Sequence, residues 1–187
     1  GAGATTMVMK LAEHLARYGK TAAIAVDGKI DLSFAKGKAN YFIVDGSKLP
    51  SVMYELTREK YQFAITDYGA LFDIDQKGQV NYSVLPSMRE LLSEFFRSNY
   101  KVGMGLSSPW HLDKFKFFMD DDMFADKITD GSYFFIFEKD SKSLRFRYGF
   151  KPIYNRNELN MSQFVSIMMP DLFNADREVK RISFLNL

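Results

Sequence analysis

Gly1-Ala2-Gly3-Ala4-Thr5-Thr6 runs straight into Met7-Val8-Met9-Lys10-Leu11-Ala12-Glu13-His14-Leu15-Ala16-Arg17-Tyr18, a glycine-rich turn leading into a stretch of helical periodicity. Small residues let a backbone curl, and the N-terminus of a helix offers free N–H groups and the positive end of its dipole to an anion. That is the layout of a phosphate-binding loop, with Gly1, Ala2, Gly3, Ala4, Thr5 and Thr6 as the residues expected to cradle the phosphates. Two parts of such a unit are absent. Ala4 occupies the position at which such a loop carries its lysine, and within this sequence no strand precedes Gly1 to hold the loop.

The rest of the chain builds an α/β pattern around this start. Val8, Leu11, Ala12 and Leu15 share one helical face, and Gly19 is expected to cap the helix. Thr21-Ala-Ala-Ile-Ala-Val26 reads as a buried strand ending at Asp27, Tyr41–Val44 as a second ending at Asp45, and Phe63–Thr66 as a third ending at Asp67. Between the first two, residues 28–39 read as a lysine-bearing loop. Pro50 opens a helix, Ser87–Arg97 reads as another, and Ser107-Ser108-Pro109 starts a third after the strand Tyr100–Leu106. Residues 73–82 are turn-rich and suit a small excursion. Tyr133–Phe137 and Leu144–Phe150 flank a polar turn and read as a β-hairpin. Met161–Met169 is an amphipathic helix using Phe164, Val165, Ile167 and Met168, and Arg181–Leu187 closes the sequence as a strand. Alternating strands and helices argue for a mostly parallel sheet with helices on both faces.

Bulk properties limit the classes. A chain of 187 residues, 47% hydrophobic and 16% aromatic, supports one sizeable core over residues 1–187 and argues against disorder. A net charge of +2 is too small to imply nucleic acid or an acidic membrane. The absence of cysteine removes disulfides, thiolate zinc sites and cysteine nucleophiles, which suits a cytoplasmic protein. No apolar run approaches a membrane span, and no signal-peptide pattern is visible.

Loop, helix and strand-end acids together resemble the start of the ParA/MinD-type P-loop ATPases. Gly1–Thr6 followed by Leu11-Ala12-Glu13-His14-Leu15-Ala16-Arg17-Tyr18-Gly19-Lys20-Thr21 is similar to that family's loop and helix ending, and Tyr61-Gln-Phe-Ala-Ile-Thr-Asp67 to its second motif. The likeness covers about residues 1–110. It implies a P-loop-type fold, ATP and magnesium as ligands, and Thr5, Asp27 and Asp67 as the metal set. A hydroxyl and a strand-end carboxylate holding a metal-bound water are what that chemistry requires.

The departures weigh against turnover. In the family one loop lysine neutralises phosphate charge and a second lies near the loop's start. Ala4 matches the first, and the second falls ahead of Gly1. Without an ammonium at the developing phosphoryl charge, a main source of transition-state stabilisation is lost. The expectation is therefore a degenerate, non-catalytic domain with weak or no binding of ATP and Mg2+, as in the TadZ/CpaE-like positioning proteins. It would act as a homodimer or on a protein partner such as a membrane-associated machine. The alternatives are an ATPase that borrows Lys10, Lys20 or a partner's lysine, and a nucleotide or anion sensor without turnover.

The missing strand has a candidate. Written ahead of Gly1, Ile182-Ser-Phe-Leu-Asn-Leu187 completes a strand–loop–helix unit, with Asn186 at the second lysine's position. This circularly permuted order puts Phe184 in the sheet's centre and Leu187 beside Gly1; the alternative is an edge strand. Several residues invite sharper readings than they merit. Arg145, Arg147 and Lys151 alternate with Phe146, Tyr148 and Phe150, which fits a solvated strand face better than nucleic-acid binding. Asp120–Asp122 reads as a solvated helix end, Asp31 and Asp45 as loop acids, His14 and His111 as surface residues, and Trp110 as packing at a helix start.

Overall fold

A computed structural model describes residues 3–28, 37–71, 73–74, 80–81, 86–120, 132–138, 153–172 and 179–186. Among these, five helices accompany nine strands. The helices are α1 (Ala4–Leu15), α2 (Leu49–Arg58), α3 (Pro86–Phe96), α4 (Pro109–Asp120) and α5 (Met161–Met168). The strands are β1 (Thr21–Val26), β2 (Asn40–Val44), β3 (Phe63–Asp67), β4 (Asp73–Ile74), β5 (Val80–Asn81), β6 (Tyr100–Gly105), β7 (Tyr133–Phe137), β8 (Ile153–Asn155) and β9 (Lys180–Asn186). Seven strands form one sheet in the order β2-β1-β3-β9-β6-β7-β8, and every pairing in it is parallel. β4 and β5 make the small antiparallel excursion expected from residues 73–82.

Strand periodicity explains how both faces of the sheet are covered. Along β1, Ile24 and Val26 join a core with α2, α3 and α4, whereas Ala23 points to α1. Along β7, Tyr133, Phe135 and Phe137 face the first core, and Phe134 and Ile136 face the second, with α1 and α5. Successive side chains alternate faces, so a strand with both faces covered reads as a continuous apolar run. β1 and β7 read that way because each is buried throughout.

β9 is the decisive element. It lies between β3 and β6, with Ile65 opposite Ile182, Asp67 opposite Phe184, and Val102 opposite Phe184 from the other side. Phe184 is fully buried, so this strand is central and not an edge. Its outer end reaches residues 67–69, where Tyr68 N donates to Phe184 O (3.0 Å) and Asn186 N to Gly69 O (2.8 Å). Its other end is tied to α3. The buried Glu94 carboxylate accepts from Arg181 (3.0 Å) and Arg97 (2.9 Å), and the Ser98 and Ser183 hydroxyls lie 2.5 Å apart. Gly1, Ala2 and Leu187 lie outside the described residues, as does the proposed approach of Leu187 to Gly1.

Four local expectations are corrected. Gly19 is no left-handed cap: α1 ends at Leu15, Gly19 N donates to Leu15 O (3.1 Å) without a positive φ, and a Cβ there would meet the tip of the exposed Gln62 side chain. Tyr133–Phe137 is not one arm of a hairpin. Its edges are taken by β6 along its length and by β8 from Phe135 to Phe137, both parallel; residues 144–150 lie outside the described residues. Ile167 is exposed, since α5 buries only Phe164, Val165 and Met168. Trp110 stands out from its helix, half exposed, with Lys114 Nζ 5.6 Å from the ring centroid. Arg145, Arg147, Lys151, Asp31, Asp121 and Asp122 lie outside the described residues.

Candidate functional site

The candidate site lies where α1 begins, against the C-terminal ends of β3 and β9. Gly3 precedes the helix in the left-handed conformation (φ 88°), which lets the chain turn into α1 without strain. Met7 N then donates to Gly3 O (3.1 Å), and no side chain caps the helix. Ala4, Met7, Val8 and Leu11 bury one face of α1 on the sheet, which aims the start of the helix at the strand ends.

Thr5 and Asp67 meet here. Thr5 Oγ1 donates to Asp67 Oδ2 at 2.6 Å, while Asp67 Oδ1 accepts from Gly69 N at 2.9 Å. The buried carboxylate therefore links the start of α1 to the turn after β3, and that turn in turn holds the end of β9. Asp27 is drawn elsewhere. Its Oδ1 accepts from Gly46 N (3.0 Å) at the short 3-10 turn after β2, and its own backbone is left-handed (φ 49°). Two of the three expected metal ligands thus converge and the third serves a turn. Among the described residues no group of three or more His, Cys, Asp or Glu side chains could hold a metal. Asp45 has the loop role read for it: it caps the same turn through Ser47, whose hydrogen bonds hold its carboxyl below the ordinary range.

Charge around the loop was only partly legible. Lys20 lies at the start of β1, the opposite end of the sheet, paired with Glu59 (3.2 Å) and over the Tyr61 ring. Lys10 lines a cleft on the outer side of α1, as does Thr6. Neither lysine is placed as a loop cation. A different cation stands at the loop: Arg156, just beyond β8, has Nη1 2.7 Å from the point where a Cβ on Gly3 would lie. Its backbone is held by Arg156 N donating to Phe137 O (2.7 Å). No spacing in the sequence links residues 3 and 156; the sheet order brings them together. Asn186, at the second lysine's position, has a buried Oδ1 with no hydrogen-bond partner among the described residues. Amide orientation is interchangeable, so that place can present an acceptor or a donor.

Fit to a nucleotide is therefore partial. The helix start, the Thr5–Asp67 pair and the Arg156 charge suit an anion with a hard cation, but no lysine stands at Ala4. The two histidines differ from expectation in different degrees. His111 is partly exposed and its Nδ1 lies 2.6 Å from Ser108 Oγ, whereas His14 is only 8% exposed. Burial and then the Arg17 charge lower the His14 pKa from its ordinary value, favouring the neutral ring. Among the described residues no helix is long and apolar enough to cross a membrane. Compared with protein-family models, curated proteins and solved structures, the chain matches none of them.

Proposed function

We propose that this chain is a degenerate P-loop-type domain, ParA/MinD-like in descent, that works by interaction or positioning and does not hydrolyse nucleotide. The observation that carries this reading is the Thr5–Asp67 hydrogen bond at the mouth of a central parallel sheet, beside a loop with alanine at the lysine position. The pairing of hydroxyl and strand-end acid supports descent from a nucleotide site. The absent ammonium removes the charge that turnover depends on. Such a domain acts as a homodimer or through a protein partner, such as a membrane-associated machine, in the cytoplasm.

A second reading rests on Arg156. A guanidinium beside Gly3 supplies positive charge where a phosphate would lie, which favours a nucleotide or anion sensor without turnover. Thermal unfolding with and without ATP and Mg2+, run beside a phosphate-release assay, separates the readings. A ligand bound only by the folded state raises the midpoint by mass action. No shift and no release are expected for the positioning domain. A shift without release, lost in Arg156→Gln, establishes the sensor. Release that disappears in Asp67→Asn establishes a hydrolase and overturns the proposal.

A further inference from the structure

A second site lies on the opposite side of α1 from the sheet. A cleft of about 420 Å³ runs between the outer stripe of α1 and the chain entering α5. Its size falls within the range of small-molecule sites, roughly 300–1,000 Å³. Met9, Leu159 and Met161 give it an apolar floor, and Lys10, His14 and Arg17 line it with nitrogen.

The chemistry of this lining selects a ligand class. Lys10 and Arg17 are exposed and make no ion pair among the described residues. Glu13 is the opposing charge, and its Oε1 already accepts from the Tyr41 hydroxyl at 2.5 Å. With His14 neutral, fixed cations outnumber carboxylates in the wall by one, which suits a monoanion. His14 carries the argument further: it is 8% exposed, lines the cleft and makes no side-chain hydrogen bond among the described residues. Its ring nitrogens are not among the fully buried atoms that lack a partner, so the exposed part of the ring leaves them open to hydrogen bonding from the cleft that it lines. Tyr18 packs on this ring at 5.6 Å between centroids, which limits how it can turn.

We propose that this cleft binds a small organic monocarboxylate. The carboxylate sits between Lys10 and Arg17 with a hydrogen bond from His14, and a short apolar body lies on Met9, Leu159 and Met161. This site shares only Thr6 with the residues expected to cradle phosphate, lies on the other side of α1 from the Thr5–Asp67 pair, and does not depend on nucleotide binding there. Titration of the full chain with octanoate, followed by calorimetry and by the imidazole 1H–15N signals, tests it. Saturable binding with Kd below about 1 mM is expected, with the His14 signals moving and acetate binding at least about tenfold more weakly. Lys10→Gln with Arg17→Gln should weaken octanoate at least about tenfold while leaving the unfolding midpoint unchanged, because both side chains are exposed. Absence of saturable octanoate binding, equal binding of octylamine, or binding untouched by the double substitution would each overturn the proposal.

Discussion

Thr5 and Thr6 are neighbours of the same type with different surroundings, and they separate what α1 needs from what it tolerates. Thr5 Oγ1 is bonded to the buried Asp67 carboxylate, while Thr6 is exposed. Thr5→Val should therefore cost about 1–3 kcal/mol in urea unfolding, because it strands a buried acceptor, and Thr6→Val should stay within about 0.5 kcal/mol. Equal effects would mean that the Thr5–Asp67 bond contributes nothing to stability. His14 gives a prediction in pH. Burial and Arg17 disfavour its imidazolium in the folded state, so the unfolded chain takes up that proton first as pH falls. Its contribution is complete above the ordinary value of 6.5 and is lost as pH falls below it. His14→Gln should flatten the stability profile over roughly pH 5–7 relative to the parent. An unchanged slope would show that another group sets it.

At the level of elements, close approaches decide which glycines matter. Gly105 ends β6 against the buried Phe137 ring, and a Cβ there would fall 2.3 Å from a ring carbon. Gly19 has an even shorter conflict, but with the tip of the exposed Gln62 side chain. Gly105→Ala should cost about 1–3 kcal/mol or more, since a packed ring cannot withdraw, and Gly19→Ala should cost less because Gln62 can swing into solvent. Denaturation midpoints of the two variants test that order. The elements themselves were largely legible from the residues. β1 and β3 are largely apolar runs bounded by turn or charged residues, β6 is a shorter apolar segment carrying Lys101 and two glycines, and Pro50 and Pro109 mark helix starts. The failures have physical causes. An apolar run of five aromatic and β-branched residues at 133–137 is the same string whether its partner is an adjacent hairpin arm or two distant parallel strands. A helical stripe likewise identifies a face, not how far the neighbours cover it, so Ile167 emerged at 41% exposure.

Across the whole molecule, β9 holds the two halves of the sheet together. β1, β2 and β3 lie on one side of it and β6, β7 and β8 on the other. Deleting residues 180–187 should leave β3 and β6 unpaired along the sheet's middle and abolish cooperative unfolding by circular dichroism. Retention of a sharp transition would show that β3 and β6 can close on each other. The outer end of β9 and the start of α1 both engage residues 67–69, through Asn186, Phe184 and Thr5. A reordered chain in which residues 180–187 run directly into Gly1 should therefore fold with a similar midpoint. Collapse of that variant would refute the continuity of strand, loop and helix.

The sequence by itself determined the class of fold and the placement of most strands and helices. These depend on local periodicity, turn chemistry and the polarity of a few consecutive residues. Tertiary structure chose the central over the edge position for β9, and it alone decided that Thr5 bonds Asp67, that Asp27 serves the Gly46 turn, that Arg156 reaches Gly3, and that His14 is buried in the wall of a cleft. Each of those depends on which distant strands lie side by side. For Gly1–Thr6, that leaves an alanine where the loop lysine would be, and a positive charge beside Gly3 contributed from residue 156. Hydrogen bonding and burial between residues far apart in the chain leave no periodic trace in it.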